Sequence, residues 1–74
     1  MTDDLMRQWG TNISLARKIK GLSVKQFSEE MDVSVATVSR WEAGKMAPRD
    51  GMKMEIATVL GVDVRMLFPL VRAA

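Results

Sequence analysis

Along this chain apolar residues recur at spacings of three and four, the period of a helix face, and no stretch alternates as a strand does. Leu5 or Met6, Trp9, Ile13 and Ala16 form the first such stripe. They predict an amphipathic helix to about Lys20, tolerating Gly10 and stopped by Gly21. Thr2 ahead of Asp3 and Asp4 supplies a hydroxyl cap, then carboxylates at the positive end of the helix dipole. Thr11 is an alternative cap for a later start, and the pattern leaves both open.

A second unit begins at Leu22-Ser23. Ser23 and Gln26 have the spacing of a capping box; Val24, Phe27 and Met31 then share one helical face, while Lys25, Ser28 and Glu29 take the other. Asp32 marks the break, because aspartate is among the few residues besides glycine that tolerate the left-handed backbone of a tight exit. Ser34 caps a third helix whose Val38 and Trp41 face inward, and Gly44 ends it. Lys45 to Asp50 reads as a loop fixed by Pro48. Met52, Ile56, Val59 and Leu60 predict a fourth helix stopped by Gly61. Asp63 caps a short fifth through Val64, Leu67 and Phe68, ending near Pro69. Trp41 and the seven methionines follow the buried stripes and are read as core. The expected fold is all-α: five short helices in one small domain over residues 1–74, with a tail at 69–74.

Composition narrows the function more than the fold. The absence of cysteine and histidine excludes disulfides, Cys/His zinc sites, thiol nucleophiles and imidazole acid–base chemistry. No carboxylate pair or nucleophile–base set stands out, so neither an enzyme nor a cofactor is expected. The N-terminus is acidic before it is apolar, the reverse of a secretory signal, and no apolar run approaches the ~18 residues of a membrane span. A cytoplasmic location, with no membrane partner, is the expectation. Net charge is only +2, weak support for a nucleic-acid partner. Its distribution says more. Arg40, Lys45 and Arg49 fall within ten residues, interrupted only by Glu42, and a local basic edge binds phosphate even at small net charge.

Val24 to Gly44 concentrates these signals. Two short helices joined by a tight turn hold the second as a rod, and a B-DNA major groove is wide enough to admit one helix. On that rod Val35, Ala36 and Thr37, with Ser39 and Arg40 a turn later, are the candidate base-reading residues. Val35 and Ala36 offer methyls to thymine, and Arg40 offers guanine a bidentate contact worth about 1–3 kcal/mol against the wrong base. A merely solvated Arg40 is the competing reading. Ser34 with the free amides beside it, and Lys25, Lys45 and Arg49 at segment ends, are the candidate phosphate contacts. Lys18 and Lys20 read as an ordinary solvated face.

From Trp9 to Phe68 the chain resembles the phage-repressor and Cro type of helix-turn-helix protein, also called the xenobiotic-response-element family. The resemblance rests on Trp9-Gly10 ahead of Ile13, Arg17, Leu22-Ser23, Phe27 and Val33-Ser34. It continues through Val38-Ser39, Trp41-Glu42 with Gly44 and Pro48, Ile56-Ala57, Leu60-Gly61-Val62 and Leu67-Phe68. It implies a compact lambda-repressor-like domain whose third helix reads double-stranded DNA, commonly as a homodimer on a palindromic operator. It also implies that Arg17 of the first helix pairs with Glu42 at the end of the third and ties the reading helix to the scaffold; a plain surface pair is the other reading. Two positions depart from the family pattern. Val24 stands where a glutamine normally contacts phosphate and braces the reading helix, and Asp32 stands where the turn normally has glycine. Both bear on affinity more than on fold.

The expected function is sequence-specific DNA binding by a small transcriptional regulator, a repressor acting by promoter occlusion. The alternative is a protein-interaction module of the same fold, such as an antitoxin or a transcription-machinery adaptor, toward which the low net charge, Val24 and Asp32 lean. Leu15, Met46, Met66, Leu70 and Val71 exceed what five short helices bury, and read either as a dimer surface or as a loosely packed periphery.

Overall fold

The computed structural model describes residues 2–69, with side chains from residue 4 onward. Five helices follow in the expected order: α1 (Thr2–Lys20), α2 (Val24–Met31), α3 (Val35–Glu42), α4 (Asp50–Leu60) and α5 (Val64–Leu67). No strand occurs among the described residues. α1 runs unbroken through Thr11, so the early start is the one adopted, and Thr2 already belongs to the helix. The hydroxyl expected to cap it lies outside the described side chains, as do Leu70 and Val71 of the expected surplus surface. None of the described helices is long and apolar enough to cross a membrane.

The first four helices end by one device, a left-handed residue that lets two amides turn back onto free carbonyls. At the end of α3, Gly44 (φ 72°) sends its own N–H to Trp41 O at 3.1 Å and the Lys45 N–H to Arg40 O at 2.9 Å. At the end of α2 the left-handed residue is Asp32 (φ 57°), and the Val33 N–H reaches Ser28 O at 3.0 Å. A side chain in that backbone region costs about 1 kcal/mol, which aspartate reduces by local hydrogen bonding but glycine avoids altogether.

The core takes one fully buried side chain from each of the four longer helices, Ile13, Phe27, Val38 and Ile56. Each burial contributes about 1.5–3 kcal/mol before conformational entropy is subtracted. Trp9 and Phe68 meet edge to face, with ring centroids 5.5 Å apart, and so hold α1 to the end of α5. Over them lies Lys53 of α4, whose ammonium is 4.3 Å from the Trp9 ring centre and 5.6 Å from that of Phe68.

Three sequence expectations need correction. Ser28 is buried, not on the solvent face, because its Oγ donates to the Lys25 carbonyl at 2.7 Å and satisfies itself within its own helix. Met54, read as core, is 58% exposed, because helical spacing alone does not put a methionine inside, whereas Met46 and Met66 are exposed as their reading as surplus apolar side chains has it. Asp50, expected in the loop, opens α4, with Arg49 as its N-cap residue.

Gly10, expected only to be tolerated, is required. It is buried where α1 crosses the end of α3, and a Cβ there would lie 2.5 Å from the carbonyl oxygens of both Trp41 and Glu42. In a free helix Gly→Ala gains about 1 kcal/mol. Here Gly10→Ala is expected to lose about 2 kcal/mol or more, because neither backbone oxygen can step aside; urea unfolding measures the sign. At the other end of the chain Asp63 caps α5. Its carboxyl is held at about 2, below its ordinary value of 3.8, by hydrogen bonds from the Arg65 guanidinium and then from the Arg65 amide. A depressed carboxyl stabilises fully above the unfolded value and loses that contribution as pH falls through the folded one, so the α5 cap weakens between about pH 4 and 2. NMR titration of the Arg65 amide is expected to show a midpoint near 2 that rises toward 3.8 in Arg65→Met.

Candidate nucleic-acid interface

Both helices of the central motif start from a serine cap. Ser23 Oγ accepts the Gln26 N–H at 3.0 Å, and the Ser23 N–H donates to Gln26 Oε1 at 2.8 Å, completing the capping box. Ser34 Oγ accepts the Thr37 N–H at 3.0 Å and also lies 3.0 Å from Thr37 Oγ1. These caps fix where α2 and α3 begin, and with the left-handed Asp32 they set the turn between them.

At about 100° per residue, Val38 and Trp41 on the buried side of α3 leave Ala36, Ser39 and Arg40 on the opposite side, with Val35 and Thr37 on the flanks. Burial agrees. Val38 and Trp41 are buried, Val35, Ala36, Ser39 and Arg40 are exposed, and Thr37 is half-buried. The five candidate base-reading residues therefore share one helix but do not stand equally. Thr37 has its hydroxyl bonded to Ser34 and turns toward a groove of about 730 Å³ shared with Trp41, Met46, Pro48 and Met52.

The four candidate phosphate residues are all exposed. Ser34 stands at the N-terminus of α3, Lys45 follows its C-terminus, and Lys25 lies in the first turn of α2. Arg49 precedes α4, whose first amides receive no side-chain cap, whereas α2, α3 and α5 are capped by Ser23, Ser34 and Asp63. Asp32 is also exposed, beside the entry to α3, where its carboxylate opposes the approach of a phosphate.

Along the sequence Glu42 interrupts the basic edge. In the fold it is paired by the Arg17 guanidinium, with Nε to Oε2 at 2.7 Å and Nη2 to Oε1 at 3.1 Å. The remaining amine of the fork, Nη1, donates to the Leu22 carbonyl at 2.7 Å. One side chain thus joins α1, the loop before α2 and the last residue of α3. Both partners are largely buried, at 9% and 13% side-chain exposure, which decides against a plain surface pair. The Leu22 contact was not legible in the sequence, since nothing local marks a carbonyl as short of a donor.

A largely buried pair is most costly when only one partner is removed. Glu42→Ala, which strands the guanidinium, is expected to cost about 3 kcal/mol, and the double variant Arg17→Leu/Glu42→Leu less than that. Urea melts of the three proteins check the order; equal losses would mean that burial of the lone charge contributes nothing.

A model of the helix-turn-helix family matches residues 13–67, from the buried Ile13 of α1 to the end of α5. A search of the curated proteins finds no match. The match covers most of the chain, and includes both helices of the motif, the Arg17–Glu42 bridge and the two helices that follow. The chain belongs to the helix-turn-helix family of the phage-repressor and Cro type, whose members are DNA-binding regulators.

Proposed function

We propose that this protein is a repressor that occludes a promoter by binding its operator as a homodimer, with α3 of each copy in the major groove. The observation that carries the reading is the outward face of α3. Ala36, Ser39 and Arg40 stand there without a carboxylate, on a helix held from behind by Val38, Trp41 and the Arg17–Glu42 bridge. On this face Arg40 reads a guanine through O6 and N7. Ala36 and Val35 pack on thymine methyls, and Ser39 takes a neighbouring base edge or phosphate. Thr37 contributes its methyl rather than its hydroxyl, which Ser34 engages. Lys45, Arg49, Lys25 and the free amides beside Ser34 hold the backbone and set register.

The length of α3 supports the dimer. α3 has eight residues and spans only ~12 Å, enough to read part of one groove face. Two copies on a palindrome, one helical turn apart, give the specificity that one such rod lacks. With one strong hydrogen-bonding side chain per rod, DNA shape carries part of the recognition.

A second reading, an interaction module such as an antitoxin or adaptor, draws on the exposed Leu15, Ile19 and Met66 and on Asp32. Salt separates the two. Neutralising phosphates makes log affinity fall steeply with log salt, by about 0.9 per phosphate contacted. Selection from a random duplex pool is expected to yield a palindrome. On it Arg40→Ala should relax preference at one base position at a cost of about 1–3 kcal/mol, whereas Lys45→Ala should weaken all sequences alike and flatten the salt slope by about one. A flat salt response, or no enrichment from the pool, would leave the interaction module as the function.

A further inference from the structure

The apolar residues outside the core do not form one patch. Met46 lines the groove beside α3, while Leu15, Ile19 and Met66 line a separate groove of about 380 Å³ between α1, the end of α4 and α5. Ile19 is 86% exposed, more than any other large apolar side chain described. At about 100° per residue, Leu15 and Ile19 lie well around α1 from Gly10 and Arg17, the residues that meet α3, so the groove faces away from the reading helix.

Its charge is one-sided. Among the described residues the lining has one cation, Lys20, whose ammonium extends to the end of α4 over Gly61, and no carboxylate. Lys18 stands exposed beside Leu15 and Ile19 on α1, and from Leu5 to Lys20 that helix contains no acidic residue at all. Asp63 follows the groove's Val62, but its carboxylate is engaged by Arg65. From an apolar floor with an unpaired basic rim we infer that this groove docks an amphipathic helix of a second protein, its apolar stripe on Leu15, Ile19 and Met66 and its flanking carboxylates on Lys18 and Lys20. The same charges argue against other occupants. A second copy seated symmetrically would set this lining, which has no carboxylate among the described residues, against itself and leave Lys18 and Lys20 without an acidic partner. The chain's own residues 70–74 carry Arg72 and no acidic side chain. A nucleic-acid backbone has nothing to offer three apolar side chains at the centre. Because the groove and the outward face of α3 lie on different sides of the scaffold, docking leaves that face open, and the inference stands whether or not the repressor reading does.

The test selects from a displayed library of helical peptides, about 14 residues and ~21 Å long, against the full chain. Recovered peptides are expected to repeat Leu or Ile at helical spacing with Glu or Asp on both sides. Anisotropy with a labelled selected peptide should show Ile19→Glu and Lys20→Glu each weakening it by about tenfold or more, as expected for loss of a central anchor or a facing charge. Both variants should stay folded and melt within a few degrees of wild type, since Ile19 is solvent-exposed and Lys20 makes no ion pair among the described residues. A carboxylate against the helix dipole in the last turn of α1 destabilises only slightly. No recovered binder, binders without acidic enrichment, or binding that survives Ile19→Glu would each overturn the proposal. So would a wild-type dimer in sedimentation that Ile19→Glu makes monomeric, or binding to phosphatidylserine vesicles that the same change abolishes, since the occupant would then be a second copy or a membrane.

Discussion

The orientation of α3 depends on one contact, the place where α1 crosses its end. Two features make that crossing possible, two turns apart on α1, and both act on Glu42. Gly10 removes a side chain so that the backbones can touch, and Glu42, whose carbonyl oxygen lies against Gly10, gives its carboxylate to Arg17. Close approach without the ion pair would leave the end of α3 free to pivot. The ion pair without close approach would span a gap open to water, where such pairs contribute little. The same guanidinium also takes the Leu22 carbonyl, so the entry to α2 and the exit of α3 are referenced to one side chain.

This arrangement has an electrostatic consequence beyond rigidity. Once Glu42 is neutralised, the run from Arg40 through Lys45 to Arg49 is basic without interruption. The net charge of +2 therefore understates what a phosphate near the end of α3 would meet. Asp32 works in the other direction at the beginning of α3, and it does so from a backbone conformation that glycine would hold at lower cost. Charge along the central helix is thus uneven: the Asp32 carboxylate opposes the anion-binding amides that open α3, whereas Arg40, Lys45 and Arg49 at its C-terminal end meet no such opposition once Glu42 is paired. On the proposed repressor reading, the DNA backbone is held at both ends of α3 and more firmly at the C-terminal one.

α1 serves two sides at once. One side carries Gly10, Ile13 and Arg17 and faces the core and α3; the other carries Leu15 and Ile19 and faces solvent beside α5. A helix whose only task was scaffolding would place polar residues on its outer side, as α2 does with Lys25, Gln26 and Glu30. The apolar outer side is also where the expected single surplus surface divides, because Met46 belongs to the α3 side and Met66 to the α5 side.

The helical period, the serine caps at Ser23 and Ser34 and the exits at Gly21, Asp32, Gly44 and Gly61 were legible in the sequence, because each is a local event within one turn of chain. So was the outward face of α3, where the buried Val38 and Trp41 leave Ala36, Ser39 and Arg40 outside by geometry alone. What remained hidden depends on neighbours distant in sequence. Ser28 looked solvent-facing by polarity and is buried because its own helix accepts its proton. Gly10 looked like a tolerated flaw and is a contact, visible only when the Trp41 and Glu42 carbonyls are in place. Lys53 carried no signal, and its position over Trp9 and Phe68 exists only because α1 meets the end of α5. Thr37 and Ser39 are equally polar as letters; the hydroxyl of Thr37 is bonded to Ser34, while Ser39 stands on the outward side of α3. The sequence by itself determined the helices and their caps, since these depend on residues a few positions apart. The tertiary structure decided which faces close, which charges cancel and which apolar side chains stay outside, since those depend on what lies across the gap.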